Sequence, residues 1–112
     1  MMIADLGLDC VFIIPADNSD GLAAGADMFG KRGKEAREFR DPTDIIVDDV
    51  GNMIVVDSRN SRLQVFDDKT EYVGNVKPDI TLARPCRIFM DKEARELFIG
   101  VKLSKCVYRC KF

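Results

Sequence analysis

The sequence predicts an all-β chain made of repeated antiparallel sheets, and three observations carry that reading. The apolar runs are short, rich in Val and Ile, and separated by turn residues: Ile45-Ile46-Val47, Met53-Ile54-Val55-Val56 and Leu63-Gln64-Val65-Phe66, with Tyr72-Val73 as a weaker fourth. No long stretch places apolar residues at helical spacing. The chain also repeats itself: with Pro42 laid on Pro85, Ile45-Ile46-Val47-Asp48 meets Ile88-Phe89-Met90-Asp91, Ile54-Val55-Val56 meets Leu97-Phe98-Ile99, and Arg62 meets Lys105, with no gap.

Each element has a local cause. A residue before proline is pushed toward extended geometry, so Asp41-Pro42 and Arg84-Pro85 are expected to lead straight into a first strand. Gly51-Asn52 suits a tight turn between first and second strands, since both residues tolerate positive φ. Asp57-Ser58-Arg59-Asn60 closes the second strand. Asp57 and Arg62 flank this turn and are expected to tie it, by bonds to the backbone or to each other. Asp67-Asp68 closes the third strand. Gly30, Gly33 and Pro42 bracket residues 31–40 so tightly that an extended loop is expected rather than a short helix. The near-continuous runs Ile45-Ile46-Val47 and Met53-Ile54-Val55-Val56 suit strands buried on both faces.

A third, partial copy opens the chain. Asp5 aligns with Asp57, Val11 with Leu63 and Ile13 with Val65, and Asp20-Gly21 marks a turn after it. The sequence thus enters one repeat midway, holds one complete repeat, and runs partway through another. A period in the low forties with several strands per repeat indicates propeller blades, about two and a half of them, each a four-stranded antiparallel sheet. The expected divisions are 1–28, the tail of an incomplete blade; 29–76, a complete repeat with its leading linker; and 77–112, a last blade lacking its outer strand. A ring of about six blades needs roughly 240–260 residues at this period. The 112 residues, one domain at most, are therefore expected to be a fragment with exposed sheet edges.

The stretch from Phe29-Gly30-Lys31-Arg32-Gly33 through Pro42, Asp48, Gly51-Asn52, Asp57, Asn60 and Arg62 to Asp67 resembles an NHL repeat, in particular the NHL propeller that ends tripartite-motif (RING, B-box, coiled-coil) proteins. The match is strong across 29–76, weaker across 82–112, where Gly100 and Leu103 stand in place of the family's Asp and Asn, and weakest across 1–28. The resemblance implies a binding and scaffold module that recognises RNA or a protein partner, in a parent acting in ubiquitination or post-transcriptional regulation. It also implies that one propeller face gathers the linker and the second-to-third-strand turns. In this sequence those segments carry Lys31, Arg32, Lys34, Arg59, Lys102 and Lys105, the candidate ligand contacts. Pro42, Asp48, Gly51, Asn52, Asp57, Asn60, Arg62 and Pro85 are the structural repeat motif.

Composition narrows the function. Lys and Arg number 17 against 19 Asp and Glu, which excludes a wholly basic nucleic-acid binder but not a local basic face. The positive charge gathers in residues 29–41 and 85–112. With no histidine, the chain holds no Ser-His-Asp or Cys-His nucleophile and no His-ligated metal site. A carboxylate calcium site at Asp44, Asp48 and Asp49 is disfavoured, because consecutive strand residues point to opposite faces. Cys10, Cys86, Cys106 and Cys110 form no C-x-x-C pair, so reduced thiols and a cytoplasmic location are expected. The longest apolar run in the N-terminal stretch, Cys10 to Ile14, is too short for a membrane span. No catalysis, cofactor, metal, membrane or small-molecule substrate is expected. The alternatives are a purely structural segment that closes a propeller and binds protein only, and a propeller-enzyme fragment.

Overall fold

A computed structural model describes residues 2–5, 9–13, 27–76, 83–102 and 105–111. The first sheet comprises β1 (Met2–Asp5), β2 (Cys10–Ile13) and β3 (Asp27–Phe29). In the linker, β4 (Lys31–Arg32) and β5 (Glu38–Phe39) form a short parallel pair. The central sheet contains β6 (Pro42–Val47), β7 (Met53–Asp57), β8 (Arg62–Phe66) and β9 (Tyr72–Asn75), with a 3-10 turn at Ser58–Asn60. The third sheet contains β10 (Pro85–Asp91), β11 (Glu96–Val101) and β12 (Cys106–Lys111). Each of the three main sheets is an antiparallel meander whose strand order follows the chain, and no α-helix occurs among the described residues. The linker forms no helix, but it is not extended either: it loops back so that β4 and β5 pair in parallel, with the Glu38 amide donating to the Glu35 carbonyl and the Gly33 amide to the Phe39 carbonyl, both at 3.1 Å. The Asp20-Gly21 turn and Leu103 lie outside the described residues.

β7 shows why these residues build strands. Met53, Ile54, Val55 and Val56 are all essentially inaccessible, because this strand has strand neighbours on both edges and sheets on both faces. One face, with Ile54, Val56 and Leu63, packs on Ile88, Leu97, Ile99 and Val101 of the third sheet. The other, with Met53, Val55 and Phe66, packs on Val11, Phe29 and the linker's Phe39. The rings of Phe29 and Phe66 meet edge-to-face at 5.0 Å, a geometry that adds to burial. β6 departs from expectation. Its Ile45 and Ile46 are only half-buried and Val47 is exposed, because β6 is an edge strand, flanked at its open side by β1 and β10.

The pairing registers compare the three sheets position by position. Asp57 opposes Arg62, and Asp5 opposes Cys10, so the opening copy follows the alignment read from sequence. The third sheet does not. Pro42 opposes Asp57 where Pro85 opposes Val101, which requires one extra residue in its first hairpin. The central hairpin turns through Asp49-Val50-Gly51 and the third through Lys92-Glu93-Ala94-Arg95. Beyond that insertion Val101 matches Asp57 and Cys106, not Lys105, matches Arg62.

Two further expectations change. Asp48 and Asp49 are not on a strand. Asp48 heads the turn, where its Oδ1 accepts from the amides of Val50 (3.0 Å) and Asn52 (2.8 Å) and its Oδ2 from the Asn52 amide group (3.1 Å), while Gly51 takes φ +92°. Asp67 closes the next hairpin in the same way through the amides of Lys69 and Glu71. Asp41 and Arg84 are not extended: their φ values are +50° and +57°. Each peptide is turned by bonds to a neighbouring sheet, Asp41 N–H to Asp9 Oδ1 (2.9 Å) and Arg84 N–H to Ser61 Oγ (3.4 Å). A bulge follows at Pro42/Asp44 and at Pro85/Arg87.

Phe66→Ala, which empties the contact between central sheet and linker, is expected to cost about 3–5 kcal/mol in urea unfolding. Phe89→Ala, on the open face of the third sheet, is expected to stay within about 0.5 kcal/mol of the parent. Equal losses would contradict this assignment of the core.

Candidate functional site

The site is built on a buried carboxylate. Asp57 ends β7 with its side chain fully inaccessible. Its Oδ2 accepts from Arg62 Nε (2.8 Å), Asn60 Nδ2 (2.9 Å) and Gln64 Nε2 (3.1 Å), and its Oδ1 from the Arg40 amide (2.7 Å). A buried carboxylate is tolerated only when paired and hydrogen-bonded in this way. The donors carry the linker with them. Arg62 also donates from its terminal nitrogens to the carbonyls of Lys34 (2.9 Å), Glu35 (2.8 Å) and Glu38 (2.9 Å). Asn60 reaches the Gly33 carbonyl, and Gln64 brackets the linker through the Glu38 carbonyl and the Arg37 amide. Gly30, at φ +91°, lets the chain pass so close to Phe39 that a Cβ would sit 2.3 Å from its ring.

This arrangement sets the positions of the basic residues. Lys31, 78% exposed, pairs with Glu38 at 3.7 Å and lines a small cleft of its own with Gly30, Ala36 and Arg37. Arg32 pairs with Asp9 at 3.9 Å, and Arg59 with Asp41. Asp9 in turn holds the Asp41 amide, so Arg32 and Arg59 are joined through two carboxylates. The Lys34 side chain is exposed, and only its carbonyl is engaged by Arg62.

A second group of cations surrounds a cleft of about 290 Å³ between the central and third sheets, lined by Asp41, Thr43, Ser58, Arg84, Cys86 and Lys102. Lys102 donates its amide to the Arg84 carbonyl, and Lys105 donates its amide to the Lys102 carbonyl. Among the described residues Arg84, Lys102 and Lys105 form no ion pair, whereas Asp41, the one acid in the lining, already pairs with Arg59. Thr43 lines this cleft with its Oγ1 buried, and among the described residues that atom has no hydrogen-bond partner. Of the sequence candidates, then, Lys102 lines the cleft, Lys105 adjoins it, Arg59 reaches it through Asp41 and Arg32 lies one carboxylate further. Lys31 and Lys34 belong to the linker side. Arg84 and Thr43 were missed. The signal for Arg84 was its match to Asp41 before the repeated proline.

The chemistry available is electrostatic capture. Asp44 is occupied by the amides of Ile45 (2.9 Å) and, across the sheets, Ile88 (3.0 Å), and Asp48 by its own turn. Among the described residues no group of three Cys, Asp or Glu side chains converges to hold a metal ion, and no helix is long and apolar enough to cross a membrane. Removing Arg62 would leave the Asp57 carboxylate buried with its charge uncompensated. Arg62→Ala is expected to lose about 3–5 kcal/mol in urea unfolding and to speed amide exchange across residues 33–40. Exchange in 33–40 at the parental rate would show that the linker is held by other means. No family model and no curated protein matches the chain.

Proposed function

We propose that the three sheets are successive blades of an NHL-type propeller and that the chain is a binding module taking RNA by its phosphates at the cleft between the central and third sheets. The parent protein, on this reading, acts in ubiquitination or post-transcriptional regulation in the cytoplasm, and this segment contributes recognition rather than catalysis. The strand-by-strand repeat and the stacking of sheets face to face support the blade assignment. One observation carries the ligand assignment: the Arg84 and Lys102 side chains, without ion pairs among the described residues, line the same cleft as the unpartnered hydroxyl of Thr43. Guanidinium and ammonium donors around one opening match the acceptor oxygens of a phosphate. A protein partner is the second reading, favoured by the absence of any aromatic side chain among the described residues of the lining, since single-stranded bases are usually held by stacking.

The test is titration of a fluorescein-labelled oligouridylate of about 12 nucleotides at several salt concentrations. Affinity is expected to fall linearly on a log–log plot against salt. Arg84→Ser and Lys102→Ser are each expected to lower the slope by about one and to weaken binding several-fold. No binding at low salt, or slopes unchanged in both variants, would reject the phosphate assignment.

A further inference from the structure

The turn that leads into β8 brings one hydroxyl to the cations beside the cleft. Ser61 follows the 3-10 turn with φ +53°, and its amide donates to the Ser58 carbonyl at 3.1 Å. Ser61 is exposed, and its Oγ accepts from the Arg84 amide at 3.4 Å, a long contact between central and third sheets. The Arg84 carbonyl accepts from the Lys102 amide at 3.4 Å, and the Lys102 carbonyl from the Lys105 amide at 3.3 Å. Arg84, Lys102 and Lys105 are all exposed, and among the described residues none forms an ion pair. Two hydroxyl residues line the cleft itself, and neither offers an open oxygen: Ser58 is 6% exposed, and Thr43 Oγ1 is buried. Ser61 is thus the accessible hydroxyl, among the described residues, at a cluster of uncompensated positive charge.

We infer that Ser61 is a phosphorylation site whose phosphate is held by Arg84 and Lys102 and thereby closes the cleft to a ligand's phosphates; the closure, though not the modification, rests on the phosphate reading of the cleft. In the step, Ser61 Oγ bonds to the γ-phosphorus of ATP as the bond from that phosphorus to the β,γ-bridging oxygen breaks. ADP leaves with the electron pair, and the hydroxyl proton passes to the base of a protein kinase. Arg59, two residues before Ser61 and half-exposed, supplies the basic neighbour by which a basophilic kinase selects its acceptor, although it also pairs with Asp41. The product carries about −1.5 to −2 charge at pH 7 and three acceptor oxygens. These are added at the atom that already meets the Arg84 amide. A backbone donor and unpaired cations then converge on one dianion, the combination that binds phosphate. Asp41, the acid in the cleft lining, opposes this only weakly, because Arg59 offsets its charge.

The experiment uses the 112-residue chain in two forms. One is treated with a basophilic protein kinase and Mg-ATP, and peptide mass mapping is expected to find phosphate on Ser61. The other carries phosphoserine installed at position 61 by genetic-code expansion, with a circular dichroism spectrum matching the parent. In that form the second ionisation of the phosphate, followed by phosphorus NMR against pH, is expected about 0.5 unit or more below its ordinary value of about 6, since nearby cations favour the dianion. Arg84→Ser combined with Lys102→Ser is expected to return it to that value. Binding of the labelled oligouridylate is expected to weaken about tenfold or more on phosphorylation. A Ser61 left unmodified after exhaustive kinase treatment overturns the inference. So does an ordinary ionisation in the folded phosphorylated chain, or a lowered one that persists in the double variant. A phosphorylated chain that binds oligouridylate as tightly as the parent overturns the closure while the phosphate reading stands. A parent that binds no oligouridylate rejects that reading instead, and the ionisation still decides whether Arg84 and Lys102 hold the phosphate.

Discussion

A carboxylate with no access to water organises the centre of this molecule. Asp57 sits where β7 ends and the linker passes overhead, and it accepts four hydrogen bonds from three side chains and one backbone amide. Those same side chains fasten the linker by its carbonyls, so the charge that is costly to bury becomes the reason the segment before β6 has one course. Phe39 can then pack against both Phe29 and Phe66, whose rings also meet each other, and the first sheet is joined to the central sheet through that aromatic group. Among the described residues the third sheet shows no such buried carboxylate. Val101 and Cys106 stand at the corresponding positions, and its attachment combines aliphatic packing with the bonds from the Ile88 amide to Asp44 and from the Arg84 amide to Ser61 Oγ. Both junctions therefore combine apolar packing with backbone amides held by side chains of the neighbouring sheet.

Much of the fold was legible because strands and turns leave separate marks. The strand runs, the Gly51-Asn52 turn, the prolines at the head of β6 and β10, and the match of the opening copy at Asp5 and Val11 all follow from local chemistry. The shift within the third sheet was not legible, and the reason is physical. A strand buried on both faces has lost the alternation that normally fixes register, so Ile54-Val55-Val56 matches Leu97-Phe98-Ile99 as well as its true counterpart one residue on. Turn length, which decides between them, is set by backbone geometry and leaves little trace in side-chain polarity.

The candidate site was legible only as charge. Counting Lys and Arg by segment shows where the cations gather along the chain, but not which of them are already paired. Arg32 and Arg59 each meet a carboxylate from a distant part of the chain, Asp9 and Asp41, and Lys31 meets Glu38 only because the linker folds back on itself. Arg84 escaped notice because it lies outside the turns that the resemblance singles out, and Thr43 because an unpartnered hydroxyl is a property of surroundings rather than of sequence.

The residue before each third-strand position has one conformation throughout: Asp9, Ser61 and Lys105 take φ of +52°, +53° and +52°. A side chain in this left-handed region costs roughly 1–2 kcal/mol that glycine would avoid. Yet none of the three is glycine. Asp9 meets Arg32 and the Asp41 amide, Ser61 accepts from Arg84, and Lys105 adds positive charge beside Lys102. At Asp9 and Ser61 the strained residue is the one whose side chain reaches the entry of the next sheet, so glycine there would relax the backbone and remove that bond: local strain and attachment between sheets are opposed at a single position.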